Sequence, residues 1–167
     1  DLGDSPYILG GGGCDLLPLV PTDPVIVYVN HDYNASTLGW QIDHFDTIQD
    51  GITAVAEHGT IYVYNGIYYG SVIVAKSLKL IGEDKHNVVL DGNGSGYIVK
   101  ITADNVNMSG FTIQNSSYST TVQGAIDLRG VNNTTISRNI IVDNYIGIYL
   151  IAAHNNNISE NIVVNSS

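Results

Sequence analysis

Basic residues are scarce in this chain of 167 residues, which has six lysines and arginines against sixteen aspartates and glutamates. The formal net charge is -10, and the basic residues form no cluster. A surface this acidic repels phosphate backbones, so we expect no nucleic-acid partner. Anionic membrane surfaces are disfavoured for the same reason. An acidic balance fits a solvated extracellular coat, or a surface that gathers divalent cations.

Long apolar runs are also absent, because no stretch approaches the roughly 20 residues that span a bilayer. Membrane insertion is therefore not expected. The sequence opens without Met and without a basic and then apolar leader. We interpret the chain as a processed form or as part of something longer.

Cysteine occurs once, as Cys14, which excludes an internal disulfide. It follows four consecutive glycines, so we expect a mobile backbone and an accessible thiol there. Two interpretations stay open: a passive thiol in a tail, or an intermolecular crosslink.

The chain divides into a tail and one domain. Residues 1–24 are rich in Gly, Pro and Asp and lack any helical or strand period, which predicts an irregular tail or linker. The domain is predicted over 25–167. It begins with a lead-in strand and loop over 25–45, continues with a helix over 46–58, and is completed by short strands over 60–167.

The helix is predicted from apolar residues at helical spacing, namely Ile48, Ile52, Val55 and Ala56. Asp46 and Gln49 have the spacing of a capping box at its start. Gly59 is the predicted stop.

Internal repeats follow the helix. The segment 124–144, GAIDLRGVNNTTISRNIIVDN, aligns with residues 146–166 at an offset of 22. The aligned pairs are Ile126 with Ile148, Leu128 with Leu150, Ile136 with Ile158, Asn139 with Asn161, and Val142 with Val164. One repeat earlier, an offset of 28 places Met108 over Ile136 and Ile113 over Ile141, with extra residues looped out over 118–123.

Repeats of this length, built from short strands and tolerant of insertions, are typical of a β-solenoid. We therefore predict an all-β fold, a right-handed parallel β-helix of the pectate-lyase-like kind with one N-terminal capping helix. Asn139 and Asn161 recur at one turn position, which predicts a side-chain hydrogen-bond ladder. The helix is expected to cover the first coil, and the last coil is expected to be open.

A family resemblance rests on these same segments. DTIQDGITAVAEHGTIYVYNGIYYGSVIVAKSLKLIGED, LDGNGSG, VNMSGFTIQNSS and NNNISENIVV resemble the capping helix and coils of NosD-type, carbohydrate-active right-handed β-helix proteins of the archaeal cell-surface type. The resemblance covers about three quarters of the chain. It implies the fold, and it says little about function, because one scaffold carries lyases, hydrolases, esterases and non-catalytic proteins.

The N-terminal tail carries a second resemblance. GDSPYILGGGGCDLLPL is similar to the segment that follows the last coil in such proteins. This implies tandem units, with copies of the chain or neighbouring units of the same protein as partners. We expect one unit's tail to complete the open end of the next, a head-to-tail contact that builds filaments or layers.

Glycosylation sequons are numerous, and each is a candidate acceptor if the protein is exported. Asn and Ser are also favoured at solenoid turns, where they form sequons by chance. The candidates are Asn34, Asn93, Asn107, Asn115, Asn132, Asn133, Asn157 and Asn165.

Catalytic groups are not brought together by the repeat alignment. The offset of 22 places Asp127 over Tyr149 and Arg129 over Ile151, so no acidic pair stacks. Polysaccharide cleavage needs paired carboxylates, or calcium with a basic residue. Because Asp127 and Arg129 alternate with inward residues, we expect both to be solvated. The chain is therefore predicted not to be an enzyme.

No cofactor or metal is predicted either, beyond weak binding of calcium at the acidic surface. The loop that starts at Asp91 imitates a calcium loop, but its twelfth position is Thr102 and not the bidentate Glu. A plain turn is the better interpretation. The histidines are scattered and show no ligand spacing with Cys or Met.

Four tyrosines are candidates for weak binding of a carbohydrate or a partner. Tyr62 and Tyr64 alternate with inward Ile61 and Val63, and Tyr68 and Tyr69 follow closely. Exposed tyrosines stack on sugar rings or pack against a partner subunit. The alternative is that they only line a face of the solenoid.

The leading functional prediction is a non-enzymatic extracellular structural protein, a unit of a cell-surface layer, sheath or filament. The alternative is a carbohydrate-binding or polysaccharide-processing β-helix domain of a larger secreted protein.

Overall fold

The computed structural model describes residues 22–118 and 123–166, together with the backbone of two short strands that precede them. These strands, β1 (Ile8–Leu9) and β2 (Gly13–Cys14), pair antiparallel within the segment that the sequence predicts to be irregular. Among the described residues, no helix has both the length and the apolarity needed to cross a bilayer.

The other strands form three parallel sheets, which the chain visits in turn as it winds. The seven-stranded sheet contains β3 (Ile26–Val29), β4 (His44–Phe45), β5 (Thr60–Val63), β8 (Lys79–Gly82), β11 (Asn107–Ser109), β14 (Thr135–Ser137) and β17 (Asn157–Ser159). The five-stranded sheet contains β6 (Gly66–Tyr69), β9 (Val88–Asp91), β12 (Thr112–Gln114), β15 (Ile140–Val142) and β18 (Ile162–Val164). The four-stranded sheet contains β7 (Val72–Val74), β10 (Val99–Ile101), β13 (Ile126–Arg129) and β16 (Ile148–Ile151).

This winding confirms the predicted right-handed parallel β-helix, and the strand register confirms the repeat alignment. Ile126 lies opposite Ile148, and Ile136 lies opposite Ile158, at the offset of 22. Met108 lies opposite Ile136 at the offset of 28. Sequence repeats therefore correspond to spatial neighbours, because each coil stacks directly on the one before it.

The core is a column of aliphatic side chains that point inward from all three sheets. Alternation along β5 buries Ile61 and Val63, and the same pattern recurs in every coil up to β15. Each fully buried aliphatic side chain stabilises the fold by roughly 1.5–3 kcal/mol. Stacking thus supplies the core that a single coil lacks.

The capping helix α1 (Ile48–Ala54) covers the first coil, with Ile48 and Ile52 buried against it. Its bounds differ from the prediction. Thr47, and not Asp46, is the N-cap, and its hydroxyl accepts a hydrogen bond from the Asp50 N–H. The helix ends at Ala54, before the predicted stop at Gly59, because the chain turns extended at Val55.

The predicted asparagine ladder is present. The fully buried Asn139 accepts a hydrogen bond from the Phe111 N–H through its side-chain oxygen. Its own N–H and Nδ2 donate to Asn161 Oδ1 at 3.0 and 3.1 Å. The ladder therefore connects three successive coils at one turn.

Apolar side chains are exposed on the last described coil. Leu150, Ile158 and Val163 extend core rows whose earlier members are buried, yet each of the three is exposed. Within residues 22–118 and 123–166, nothing packs over this end of the column as α1 does over the other.

Candidate functional site

One outward row of the four-stranded sheet carries ionisable and aromatic side chains in register. Lys100 of β10 lies opposite Asp127 of β13, and Asp127 lies opposite Tyr149 of β16. The neighbours along each strand, such as Val99 and Ile126, are buried in the core. Alternation therefore places the row on the outer face of the solenoid.

Asp127 is nevertheless buried, with only 2% of its side chain exposed. Arg129, two residues along the same strand, covers it with a bidentate ion pair. Arg129 Nε donates to Asp127 Oδ1 at 2.7 Å, and Arg129 Nη2 donates to Oδ2 at 3.0 Å. The prediction that both residues are solvated is therefore wrong for Asp127, because a neighbour on its own face shields it from water.

Aromatic rings lie beside both Arg129 and Lys100. The Arg129 guanidinium lies 5.0 Å from the ring centroid of Tyr149, and the Lys100 ammonium lies 5.8 Å from that of Tyr97. The hydrogen bond to Asp127 raises the pKa of Arg129 above its usual range. Both cations are thus held beside ring faces, where a cation is favoured. We call Lys100, Asp127, Arg129 and Tyr149 the carboxylate row.

The carboxylate row contains one acid. On β7, β10, β13 and β16, Asp127 is the single acidic residue. A mechanism with paired carboxylates therefore has no basis on this face. One carboxylate that is paired with Arg129 and lies opposite Lys100 in register has a different capability. It can act as a base or nucleophile while the cations stabilise a developing oxyanion.

A second cluster lies on the outer face of the seven-stranded sheet. The Tyr28 ring stacks on Tyr62 with centroids 6.0 Å apart, and on Tyr64 with centroids 6.3 Å apart. His44 packs beside Tyr28 at 5.1 Å, and Tyr33 meets Tyr64 edge to face. The outward orientation predicted for Tyr62 and Tyr64 is observed. The sequence reasoning missed Tyr28, although alternation in VIVYV gives it the same face.

Tyr68 and Tyr69 do not join that cluster, because they lie on β6 in the five-stranded sheet. Tyr68 is half-buried, and its hydroxyl donates to the Tyr64 carbonyl at 2.9 Å. Burial raises the pKa of Tyr68 to about 12. Tyr69 is 71% exposed. The four candidate tyrosines are therefore one pair and two separate residues.

The sequons differ in their surroundings. Asn132 is half-buried, and the other candidates are exposed. Asn115 donates a hydrogen bond to Asp91, and the Asn34 side chain closes its own loop by accepting from the Ser36 N–H. Which of them carry sugar stays a prediction, and the exposed sites are Asn34, Asn93, Asn107, Asn115, Asn133, Asn157 and Asn165.

The loop at Asp91 is a turn in the structure. Asp91 accepts hydrogen bonds from the Asn93 N–H and from the side-chain amides of Gln114 and Asn115. These bonds engage both carboxylate oxygens. Within residues 22–118 and 123–166, no group of three or more His, Cys, Asp or Glu side chains is placed to hold a metal. The expectation of no cofactor beyond weakly bound calcium stays a prediction.

Cys14 lies at the end of β2, and its side chain is outside the described part of the structure. The choice between a passive thiol and a crosslink therefore stays open.

Solved structures of similar fold include pectin methylesterases. The chain matches a pectin methylesterase mutant in complex with a hexasaccharide with a TM-score of 0.67 and 16% identity, covering 82% of this chain and 48% of that one. A second hexasaccharide complex gives a TM-score of 0.61 at 16% identity, covering 74% of this chain and 45% of that one. The pectin methylesterase from carrot gives a TM-score of 0.56 at 16% identity, covering 75% of this chain and 42% of that one.

The chain spans less than half the length of these neighbours. No protein-family profile matches the chain, and no curated protein matches it. At this identity the likeness establishes the parallel β-helix class. The NosD-type and archaeal parts of the resemblance stay predictions.

The comparisons correct the prediction that the chain is not an enzyme, because every one of these neighbours is named as an enzyme. The structure also removes one premise of that prediction, since Asp127 is not solvated but is paired with Arg129 on one face. Of the two functional predictions, the comparisons favour the alternative, a carbohydrate-binding or polysaccharide-processing β-helix, over a structural surface unit.

Proposed function

We propose that this chain is a polysaccharide-processing β-helix domain, with the carboxylate row as its reactive surface. The observation that carries the proposal is the buried Asp127 carboxylate, held by Arg129 on a sheet face where side chains are ordinarily solvated. Burying a charged pair costs desolvation free energy that an apolar pair would not. Such a pair on an outer face is therefore a candidate functional group.

The reaction class that suits one carboxylate and two cations is hydrolysis of an ester on the polysaccharide. Asp127 would accept the proton of a water molecule as that water adds to the ester carbonyl. Lys100 and Arg129 would stabilise the oxyanion. The proton would then pass to the departing alcohol as the ester bond breaks, leaving a carboxylic acid on the polysaccharide that ionises by releasing its proton to water. The names of the structural neighbours support an ester substrate.

In this proposal Arg129 controls the access of substrate to the Asp127 carboxylate. Its side chain is 40% exposed while that of Asp127 is 2% exposed. An acidic group of the substrate that draws Arg129 outward would uncover the carboxylate for reaction. The cation would then contact the substrate next to the uncovered carboxylate.

The test is release of alcohol or acid from methyl-esterified and acetylated polysaccharides. Replacing Asp127→Asn keeps the shape and removes the base, so we expect at least a 100-fold loss of rate, within the range for general-base catalysis. The Arg138→Lys variant is the matched control, since Arg138 pairs with Glu160 in an exposed ion pair. Full activity in Asp127→Asn, or no release by the unaltered chain, would overturn the proposal.

The setting that we propose is a larger secreted or surface protein. The NosD-type, archaeal surface resemblance and the many exposed sequons support it. Asn34 is the acceptor that we favour, because it lies in the loop between β3 and β4 and is exposed. Mass spectrometry of glycopeptides from protein exported by its natural host tests this. An unmodified Asn34 in exported protein would contradict it.

A further inference from the structure

A pocket opens on the outer face of the seven-stranded sheet, away from the carboxylate row. It has a volume of about 250 Å³ and is lined by Tyr28, Tyr62, Val63, Tyr64 and Glu83. We call it the tyrosine pocket. Three of its five lining residues are tyrosines, and Glu83 is the one carboxylate among them.

The strand register explains why the pocket is there. Tyr62 lies opposite Ile81, and Val63 lies opposite Gly82. The residues of the next coil that lie opposite the tyrosine-bearing strand are therefore small or aliphatic until Glu83. The Glu83 N–H donates a hydrogen bond to the Val63 carbonyl. The tyrosine rings consequently border open space on the side away from Tyr28.

The rings and the carboxylate are both held in place. Tyr28 stacks on Tyr62 with a 20° angle between the ring planes, and on Tyr64 with a 22° angle. Glu83 Oε2 accepts a hydrogen bond from the Asn65 N–H at 3.1 Å. A ligand would therefore meet walls that need little reordering.

The chemistry of these walls favours a cation. Aromatic faces carry negative charge and attract ammonium groups, most strongly where water is excluded. Glu83 adds a full negative charge to the lining of this pocket, so an anionic ligand is repelled there. Because the surface that the pocket exposes is mostly apolar, a cation without N–H groups suits it better than a primary ammonium or a neutral sugar.

We propose that the tyrosine pocket binds a quaternary ammonium group. The trimethylammonium head lies against the Tyr62 and Tyr64 rings, and Glu83 neutralises its charge. This site does not depend on the reaction proposed for the carboxylate row. Either proposal can fail without the other.

The test compares choline with its neutral isostere, 3,3-dimethylbutan-1-ol, by calorimetry or ligand-observed NMR on the intact chain. The two ligands share size and shape and differ in charge. We expect saturable choline binding and at least tenfold weaker binding of the isostere. Equal affinities, or no saturable choline binding, would overturn the proposal.

Two variants locate the site. The Glu83→Gln variant removes the charge and retains an oxygen that can accept from the Asn65 N–H, so the loop is preserved. It should lower choline affinity at least fivefold while leaving isostere affinity unchanged. The Tyr62→Leu variant should lose choline binding, and Tyr69→Leu, an exposed tyrosine on β6, should match the unaltered chain. Unchanged binding in both Glu83→Gln and Tyr62→Leu, with native circular dichroism, would contradict the assignment.

Discussion

Asp127 and Arg129 lie two residues apart on β13, and their side chains meet outside the sheet in a bidentate ion pair with a shortest distance of 2.7 Å. The strand's alternation gives both residues the same face, and the longer side chain folds back over the shorter one. This relationship gives the outer surface a shielded charge and connects the fold to the proposed chemistry.

Removing the cation should destabilise the fold. In Arg129→Met the Asp127 carboxylate stays shielded without its partner. We expect the free energy of unfolding to fall by about 2 kcal/mol, less than the 3–5 kcal/mol typical of fully buried pairs because Arg129 is partly exposed. Urea denaturation measures this, with Arg138→Met as the exposed-pair control. The double variant Asp127→Leu with Arg129→Met should regain most of the loss. An Arg129→Met variant as stable as the unaltered chain would show that the ion pair between Asp127 and Arg129 is well solvated.

The asparagine ladder should contribute more than any exposed asparagine. Asn139→Ala removes the acceptor of the buried Phe111 N–H and one of the two donors to Asn161 Oδ1. We expect a loss of about 3 kcal/mol, since each unsatisfied buried group costs roughly 1–3 kcal/mol. The exposed Asn157→Ala, in contrast, should change stability by less than about 0.5 kcal/mol. Equal effects of the two substitutions in thermal or urea unfolding would argue against a structural ladder.

Alkaline pH should destabilise the first coils through Tyr68. Its pKa is raised from 10.0 to about 12 in the folded chain, chiefly by burial. The unfolded chain therefore releases this proton first. The contribution of Tyr68 to stability is fully present below pH 10 and is lost as pH rises from 10 to 12, with up to one proton released per molecule on unfolding. Absorbance titration near 295 nm, compared with Tyr68→Phe, resolves the late-ionising tyrosine. A Tyr68→Phe variant with the same high-pH titration would show that Tyr68 ionises normally.

The exposed apolar end of the last described coil bears on the proposed contact between copies of the chain. If copies join head to tail, sedimentation should show concentration-dependent association. Leu150→Glu with Val163→Glu should abolish it, as should deletion of residues 1–24. Leu38→Glu is the control, because Leu38 is 94% exposed in a loop far along the chain from the last coil. A monomer at high concentration, or association that survives both changes, would contradict a head-to-tail contact.

The sequence predicted the stacking well, because in a parallel β-helix a repeat offset is also a strand register. Ile126 over Ile148 follows directly from alignment. The sequence predicted the environment of individual side chains less well. Alternation assigns Asp127 to the outer face but does not reveal that Arg129 covers it. The capping helix shows the same limit, since Asp46 and Thr47 both suit an N-cap and only the packing of α1 selects Thr47.

The most direct measurement is an NMR titration of the labelled chain with methyl-esterified oligogalacturonide. Polysaccharide binding at the carboxylate row predicts saturable shift changes at Lys100, Asp127, Arg129 and Tyr149, with smaller changes at residues of the five-stranded sheet such as Tyr69. The Asp127→Asn variant should show the same footprint without turnover. An absence of shifts at the carboxylate row under saturating ligand, or shifts confined to another face, would contradict the account.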